Sequence, residues 1–202
     1  MALITLSTEI KAQLDITQNT TWSVSNPPPA ITGDIVIKPY ITLTIQSGVL
    51  LEMPNYSSIK LQEGAKLNTN GATIKQQCND WYGISAEGQG NTISQYSSQQ
   101  PKINLVNTNI EKMTSGISTN GGGVIRLYNC VLTDCKIGVS IQNYVYYDAG
   151  VVKNDFSFIK KSIFTNSITT NSQAGVYINN VVGIKILGCQ FDHILRDRCK
   201  GN

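Results

Sequence analysis

The chain has 202 residues, 41% of them hydrophobic and 14% charged, which is long enough to bury a core and too apolar to be disordered. Its net charge is +3, but the lysines are scattered singly and only Lys160 and Lys161 are adjacent, so the basic clustering that nucleic-acid binding needs is missing. No apolar run is long enough to span a bilayer, and five cysteines without CxxC or metal-ligand spacing argue against a disulfide framework and against a zinc site.

Residues 1–30 read as a lead-in or cap segment and residues 31–202 as one repeat domain. The opening MALITLSTEIKAQLDITQ has no basic n-region followed by an unbroken apolar core, so as it stands it is not a signal peptide. Within it TEIKAQLD is the only helix candidate, and it is short and weakly amphipathic. Further on, Leu43-x-Ile45-x-x-Gly48-x-x-Leu51 recurs as Ile59-x-Leu61-x-x-Gly64-x-x-Leu67, an offset of 16 residues (59 − 43 = 16). The alternation in TLTIQ and SIKLQ predicts strands, joined at a glycine corner.

Glycine followed by a β-branched residue marks another strand: Gly83-Ile84, Gly116-Ile117, Gly138-Val139, Gly175-Val176 and Gly183-Ile184. Trp81, just before the first of these, reads as a packing residue at a corner rather than a sugar platform. Small anchors at Thr108, Cys130, Ser162 and Cys189 each precede an apolar residue by two: Ile110, Leu132, Phe164 and Phe191. Leu105, Leu127, Ile159 and Ile186 stand five positions before those apolar residues in every case. Uneven spacing between anchors is the mark of constant strands and variable loops. The widest gap holds QNYVYYDAG, an inserted loop carrying Tyr144, Tyr146, Tyr147 and Asp148.

Two architectures accommodate many short strands. Asn70-Gly71 and Asn120-Gly121 would suit hairpins of a β-sandwich, whereas the positional repeat is the signature of a solenoid. The expected fold is therefore all-β, a right-handed parallel β-helix, with Thr108, Cys130, Ser162 and Cys189 on one inward ladder. Ser162 then separates Cys130 from Cys189 by a rung, too far for a disulfide.

Several segments carry a resemblance: ITGDIVIKPYITLTIQSGVLLEMPNYSSIKLQEGAKLNTNGATI, then Asp80-Trp81-Tyr82-Gly83-Ile84, GGGVIRLYNCVLTDC, FSFIKKSIFT and VYINNVVGIKILGCQF. Together they resemble a family of secreted Bacteroidetes proteins with a right-handed parallel β-helix region, often followed by a C-terminal secretion-sorting domain. The resemblance implies an extracellular or cell-surface setting, with the remaining domains of a parent protein as partners, and no particular reaction. Family members begin with an export signal and continue beyond the equivalent of Phe191, so the expectation is a fragment whose last coil is open.

Parallel β-helices also carry polysaccharide lyases and glycoside hydrolases, which need convergent carboxylates or clustered calcium ligands. The acids here are dispersed, and the only enzyme candidate is Asp134, Asp192 and His193 on adjoining coils. Neither a cofactor nor a metal is expected. Gly121-Gly122-Gly123 lacks the Lys-Ser/Thr and helix of a phosphate loop and reads as a sharp corner. Flat tyrosine rings stack on sugar faces while a carboxylate fixes hydroxyls, so Tyr144, Tyr146, Tyr147 and Asp148 are the candidate binding residues for a polysaccharide or surface glycan. Two exposed, coplanar rings would mark that role. The functional expectation is a non-catalytic adhesion or glycan-binding module or rigid spacer, with a carbohydrate-active enzyme fragment as the alternative.

Overall fold

The computed structural model describes residues 12–77, 80–167 and 173–192. Every regular element among them is a strand, and the strands stack into three parallel sheets that wrap one core, a parallel β-helix. Face A stacks Leu14–Ile16, Ile35–Ile37, Ser58–Leu61, Gly83–Glu87, Ile117–Asn120, Ile137–Tyr144 and Ala174–Val181. Face B stacks Thr20–Trp22, Thr42–Ile45, Lys66–Asn70, Lys102–Val106, Val124–Tyr128, Phe158–Lys160 and Lys185–Leu187. Face C stacks Leu50–Met53, Thr73–Gln76, Asn109–Glu111, Val131–Thr133, Ile163–Thr165 and Gln190–Asp192.

An eight-residue pattern generates the first coils. Ile35, Leu43, Leu51, Ile59 and Leu67 follow at intervals of eight (43 − 35 = 8), and all are buried. Left-handed corners at Tyr40, Gly48, Tyr56 and Gly64 keep the same interval, with φ between 57° and 79°. Each face thus uses one octad: an inward pair two apart, then a corner residue whose positive φ turns the chain onto the next face. Three octads make a coil, and Ile35 stacks on Ile59 and Leu43 on Leu67, a step of 24 residues (59 − 35 = 24). The 16-residue repeat in the sequence is therefore two octads. It matches Leu43 of face B with Ile59 of face A, strands on different faces rather than on stacked coils.

In the C-terminal half the anchors do stack. Leu105, Leu127, Ile159 and Ile186 form one ladder, and Ile110, Leu132, Phe164 and Phe191 another. Of the glycine pairs, Ile84, Ile117, Val139 and Val176 share a face A ladder, whereas Ile184 precedes a face B strand. The glycines before the first three are required by contact: a Cβ on Gly83 would lie 2.1 Å from the Gly116 carbonyl oxygen, one on Gly116 2.5 Å from that of Ile137, and one on Gly138 2.4 Å from that of Gly175. Coil stacks directly on coil there, with no room for a side chain.

Two readings are corrected. Asn70-Gly71 and Asn120-Gly121 are corners of the coil, with Gly71 and Gly121 at φ 72° and 68°, and not sandwich hairpins. Leu14 and Asp15, in the helix candidate TEIKAQLD, belong to a strand paired with Ile35 and Val36, because Leu14 and Ile16 alternate inward at period two; residues 8–11 lie outside the described residues.

The small anchors close the corner between faces B and C from inside. Thr69 and Thr108 share a hydroxyl hydrogen bond of 2.6 Å, the Cys130 thiol donates to the Leu105 carbonyl at 3.3 Å, and Ser162 Oγ accepts from the Cys130 amide at 3.2 Å. Cys130, Cys135 and Cys189 are free thiols. On the last described rung Ile186 is 38% and Phe191 45% exposed, whereas Ile159 and Phe164, one rung before, are buried.

Candidate functional site

Two inserts leave the solenoid at the same corner, between faces A and B. Residues 88–101 join Gly83–Glu87 to Lys102–Val106, and residues 145–157 join Ile137–Tyr144 to Phe158–Lys160. The coil between them turns that corner with Gly121, Gly122 and Gly123 alone. Its glycines make space for the inserts to meet above it: a Cβ on Gly122 would stand 2.6 Å from the Tyr144 ring and 2.7 Å from Gln100 Nε2.

The inserts are clasped by polar contacts shielded from solvent. Gln95, 3% exposed, donates to Asp155 Oδ2 at 2.8 Å and accepts from the Phe156 amide at 2.7 Å. The Tyr144 hydroxyl donates to the Ile93 carbonyl at 3.0 Å, and the rings of Tyr96 and Phe156 lie 4.3 Å apart. A cleft of about 400 Å³ opens between the inserts.

The predicted loop is a β-hairpin, Tyr146–Asp148 against Val151–Lys153, turning at Ala149 and Gly150. Strand alternation divides its candidates. Tyr146 and Asp148 line the cleft with Lys153, which pairs with Asp148 at 3.4 Å, and Tyr147 sits on the other side, 59% exposed. Tyr144 forms part of the cleft wall but is only 3% exposed, and burial pushes its phenol up to about 12. The rings of Tyr144 and Tyr146 are parallel within 8° at 6.3 Å. The parallel pair is thus not the exposed pair.

Asp134 sits at a left-handed corner and accepts a hydrogen bond from the Ser167 amide, while Asp192 lies in register with Thr165 and, a further rung away, Thr133. His193 lies outside the described residues. Among the described residues no three of His, Cys, Asp or Glu are grouped to hold a metal ion. Trp81 is fully buried and donates its indole N–H to the Glu111 carbonyl at 2.8 Å, a packing residue as its place before a corner implies.

A second feature runs along face A. Three adjoining hollows of about 690, 260 and 290 Å³ all include Ser85 in their walls. Their walls carry the stacked hydroxyls of Ser85 and Ser118, with buried Ser140 next in the same row, beside a row in which Glu87, Asn120 and Gln142 stack. Amides tie the second row together: Asn143 donates to Asn120 at 3.0 Å and Gln142 to Ser140 at 2.8 Å. Toward one end, Asp34 accepts from Lys60 at 2.7 Å and from the Ser58 amide at 2.8 Å. Burial alone would raise this carboxyl; those bonds outweigh it and hold the group below the ordinary carboxylate range. At the rim stand the rings of Tyr56 and Tyr82, 59% and 48% exposed and 6.1 Å apart.

The groove was legible in part. Gly83-Ile84, Gly116-Ile117 and Gly138-Val139 are each followed by serine, so the hydroxyl row is written as a Gly-Ile/Val-Ser triplet. Reading only the first two residues of each finds the strand and misses its outward face.

No family model matches the chain, and neither does any curated protein or solved structure.

Proposed function

We propose that this chain is a non-catalytic glycan-binding module of a secreted or surface-attached bacterial protein. The observation that carries the reading is the groove on face A, where hydroxyl and amide rows repeat at the rung spacing of about 4.8 Å beside exposed tyrosine rings. A linear polysaccharide presents hydroxyls at regular intervals and apolar ring faces between them. Stacked serines and amides answer the first, and Tyr56 and Tyr82 answer the second. The setting and the remaining domains as partners rest on the resemblance of the strand segments to secreted Bacteroidetes β-helix proteins.

The cleft between the inserts offers a second contact, with Tyr146 and Asp148 presented to a sugar at its wall. Affinity electrophoresis through gels containing neutral polysaccharides tests both surfaces. Retardation by one polymer, abolished in a Tyr56→Ala/Tyr82→Ala variant, is the expected result. Loss instead in a Tyr146→Ala/Asp148→Ala variant would move the site to the cleft. Absence of retardation in every gel, with the protein folded, would leave a spacer and overturn the reading.

A further inference from the structure

Coiling sorts charge that the sequence leaves scattered. The seven strands of face B carry Lys66, Lys102, Arg126, Lys160 and Lys185 and not one carboxylate. Face A strands carry Asp15, Glu87 and Lys60, and face C strands carry Glu52, Glu111, Asp192 and Lys75. One side of the solenoid is therefore cationic from its third rung to its last described one, although the chain as a whole is nearly balanced.

Register makes this a continuous strip. Lys66 stands directly beneath Lys102, and Asn68, Asn104, Arg126, Phe158 and Lys185 follow one another along the neighbouring row. Among the described residues none of the five cations has an ion-pair partner; the four salt bridges all lie elsewhere. Glu63, at the rim, is engaged by the Tyr40 hydroxyl and the Gln99 amide. Arg126 Nε is buried with no hydrogen-bond partner among the described residues, a costly arrangement. Lys102 is held below the ordinary lysine range, first by burial and then by the repulsion of Lys66 and Arg126. A fold gathers unpaired like charges at the expense of stability, and an anion laid across them relieves the repulsion.

We propose that face B is a docking surface for an extended acidic polysaccharide, its carboxylate or sulfate groups received by Lys66, Lys102, Arg126, Lys160 and Lys185. This surface is separate from the groove on face A, and the inference does not depend on that groove. Single-stranded nucleic acid is the competing polyanion, but it binds through bases stacked on open aromatic faces. Here ammonium groups already stand against the rings, Lys160 Nζ 4.8 Å from the Phe158 centroid and Lys161 Nζ 5.4 Å from that of Tyr128. What the strip offers is spaced positive charge and the amides of Asn68 and Asn104, hydrogen-bonded to each other at 2.9 Å with a donor and an acceptor left over.

The test is titration of the whole chain with polygalacturonate, with dextran as the neutral control and an oligothymidylate as the nucleic acid, at two salt concentrations. Two triple variants remove equal charge: Lys66→Gln/Lys102→Gln/Arg126→Gln on face B, and Lys38→Gln/Lys75→Gln/Lys136→Gln elsewhere. The expected result is salt-sensitive binding of polygalacturonate that the face B variant weakens roughly tenfold or more and the control variant changes little, because counterion release depends on where the charges meet the polymer. Equal weakening by both variants, no binding at low salt, or tighter binding of oligothymidylate would each overturn it. Any neutral glycan bound in the groove on face A should be retained by the face B variant, so failure of one proposal is distinguishable from failure of the other.

Discussion

At Cys130 a thiol stands where the neighbouring coils place Thr108 and Ser162, and the geometry explains why small residues with a polar hydrogen recur there. The corner carbonyls take a second donor from inside the coil: the Lys160 and Tyr128 carbonyls accept the Asn129 and Asn107 amides, Ser162 Oγ adds a bond to that of Lys160 at 3.0 Å, and the Cys130 thiol reaches those of Leu105 and Tyr128. Chemistry at the sulfur is not required. Burial raises the Cys130 thiol, and pushes that of Cys135 up to about 12, so neither is an available thiolate near neutral pH. Cys130→Ser should accordingly shift stability by less than about 1 kcal/mol, whereas Cys130→Leu overpacks the ladder and should cost roughly 1–3 kcal/mol. Urea unfolding of both variants checks this, and a serine variant as damaged as the leucine one would show that the corner needs sulfur.

The two inserts depart furthest from the solenoid, and their clasp has an unusual pH response. Asp155 is raised, chiefly by burial, against the opposing bonds from Ser157 and Gln95. The sign follows from proton binding: an acid raised in the fold binds its proton more readily folded than unfolded, so folding is least favoured by this group above its folded pKa. Its contribution to stability improves as pH falls through that value and levels off at the unfolded value of about 3.9. Asp34 acts in the opposite sense, since its lowered value stabilises the fold above the unfolded pKa and is lost on acidification. Between pH 7 and pH 4, wild type should therefore gain thermal stability relative to Asp155→Asn, measured as the difference between their Tm values; parallel curves would refute a raised Asp155. The insert itself was visible in the sequence as a widened anchor spacing, and its tyrosines as candidates. Their division between cleft, clasp and solvent was not, because it depends on the hairpin register and on Gln95 and Ile93 from an insert more than 40 residues earlier (144 − 93 = 51).

For the whole molecule, the anchors from Leu105 to Phe191 were legible because every inward side chain meets its equivalent one coil away. The coil length of the first half was not, because three octads on three faces look alike in sequence and only strand pairing tells a step of 16 from one of 24. The cationic face was hidden for the same reason: lysines distant in sequence become neighbours only after the register is known. Nearest-neighbour stacking also predicts how the solenoid opens, since a rung in the middle is held by two neighbours and a rung at an uncovered end by one. Ile141, Ile159 and Phe164 are buried, and the residues stacked on them, Ile178, Ile186 and Phe191, are 40%, 38% and 45% exposed. Ile16 and Trp22, on the first described rung, are 6% and 3% exposed, so the first and last described rungs are unequal. Amides of Lys185–Leu187 and Gln190–Asp192 should thus exchange with solvent at least about tenfold faster than those of Val124–Tyr128, with the first rungs protected nearly as well as the middle. Hydrogen exchange read by mass spectrometry resolves the gradient. Uniform protection along the chain would mean that the solenoid opens as one cooperative unit, and an N-terminal end exchanging as fast as the C-terminal one would mean that exposure of the inward ladder does not govern where it frays.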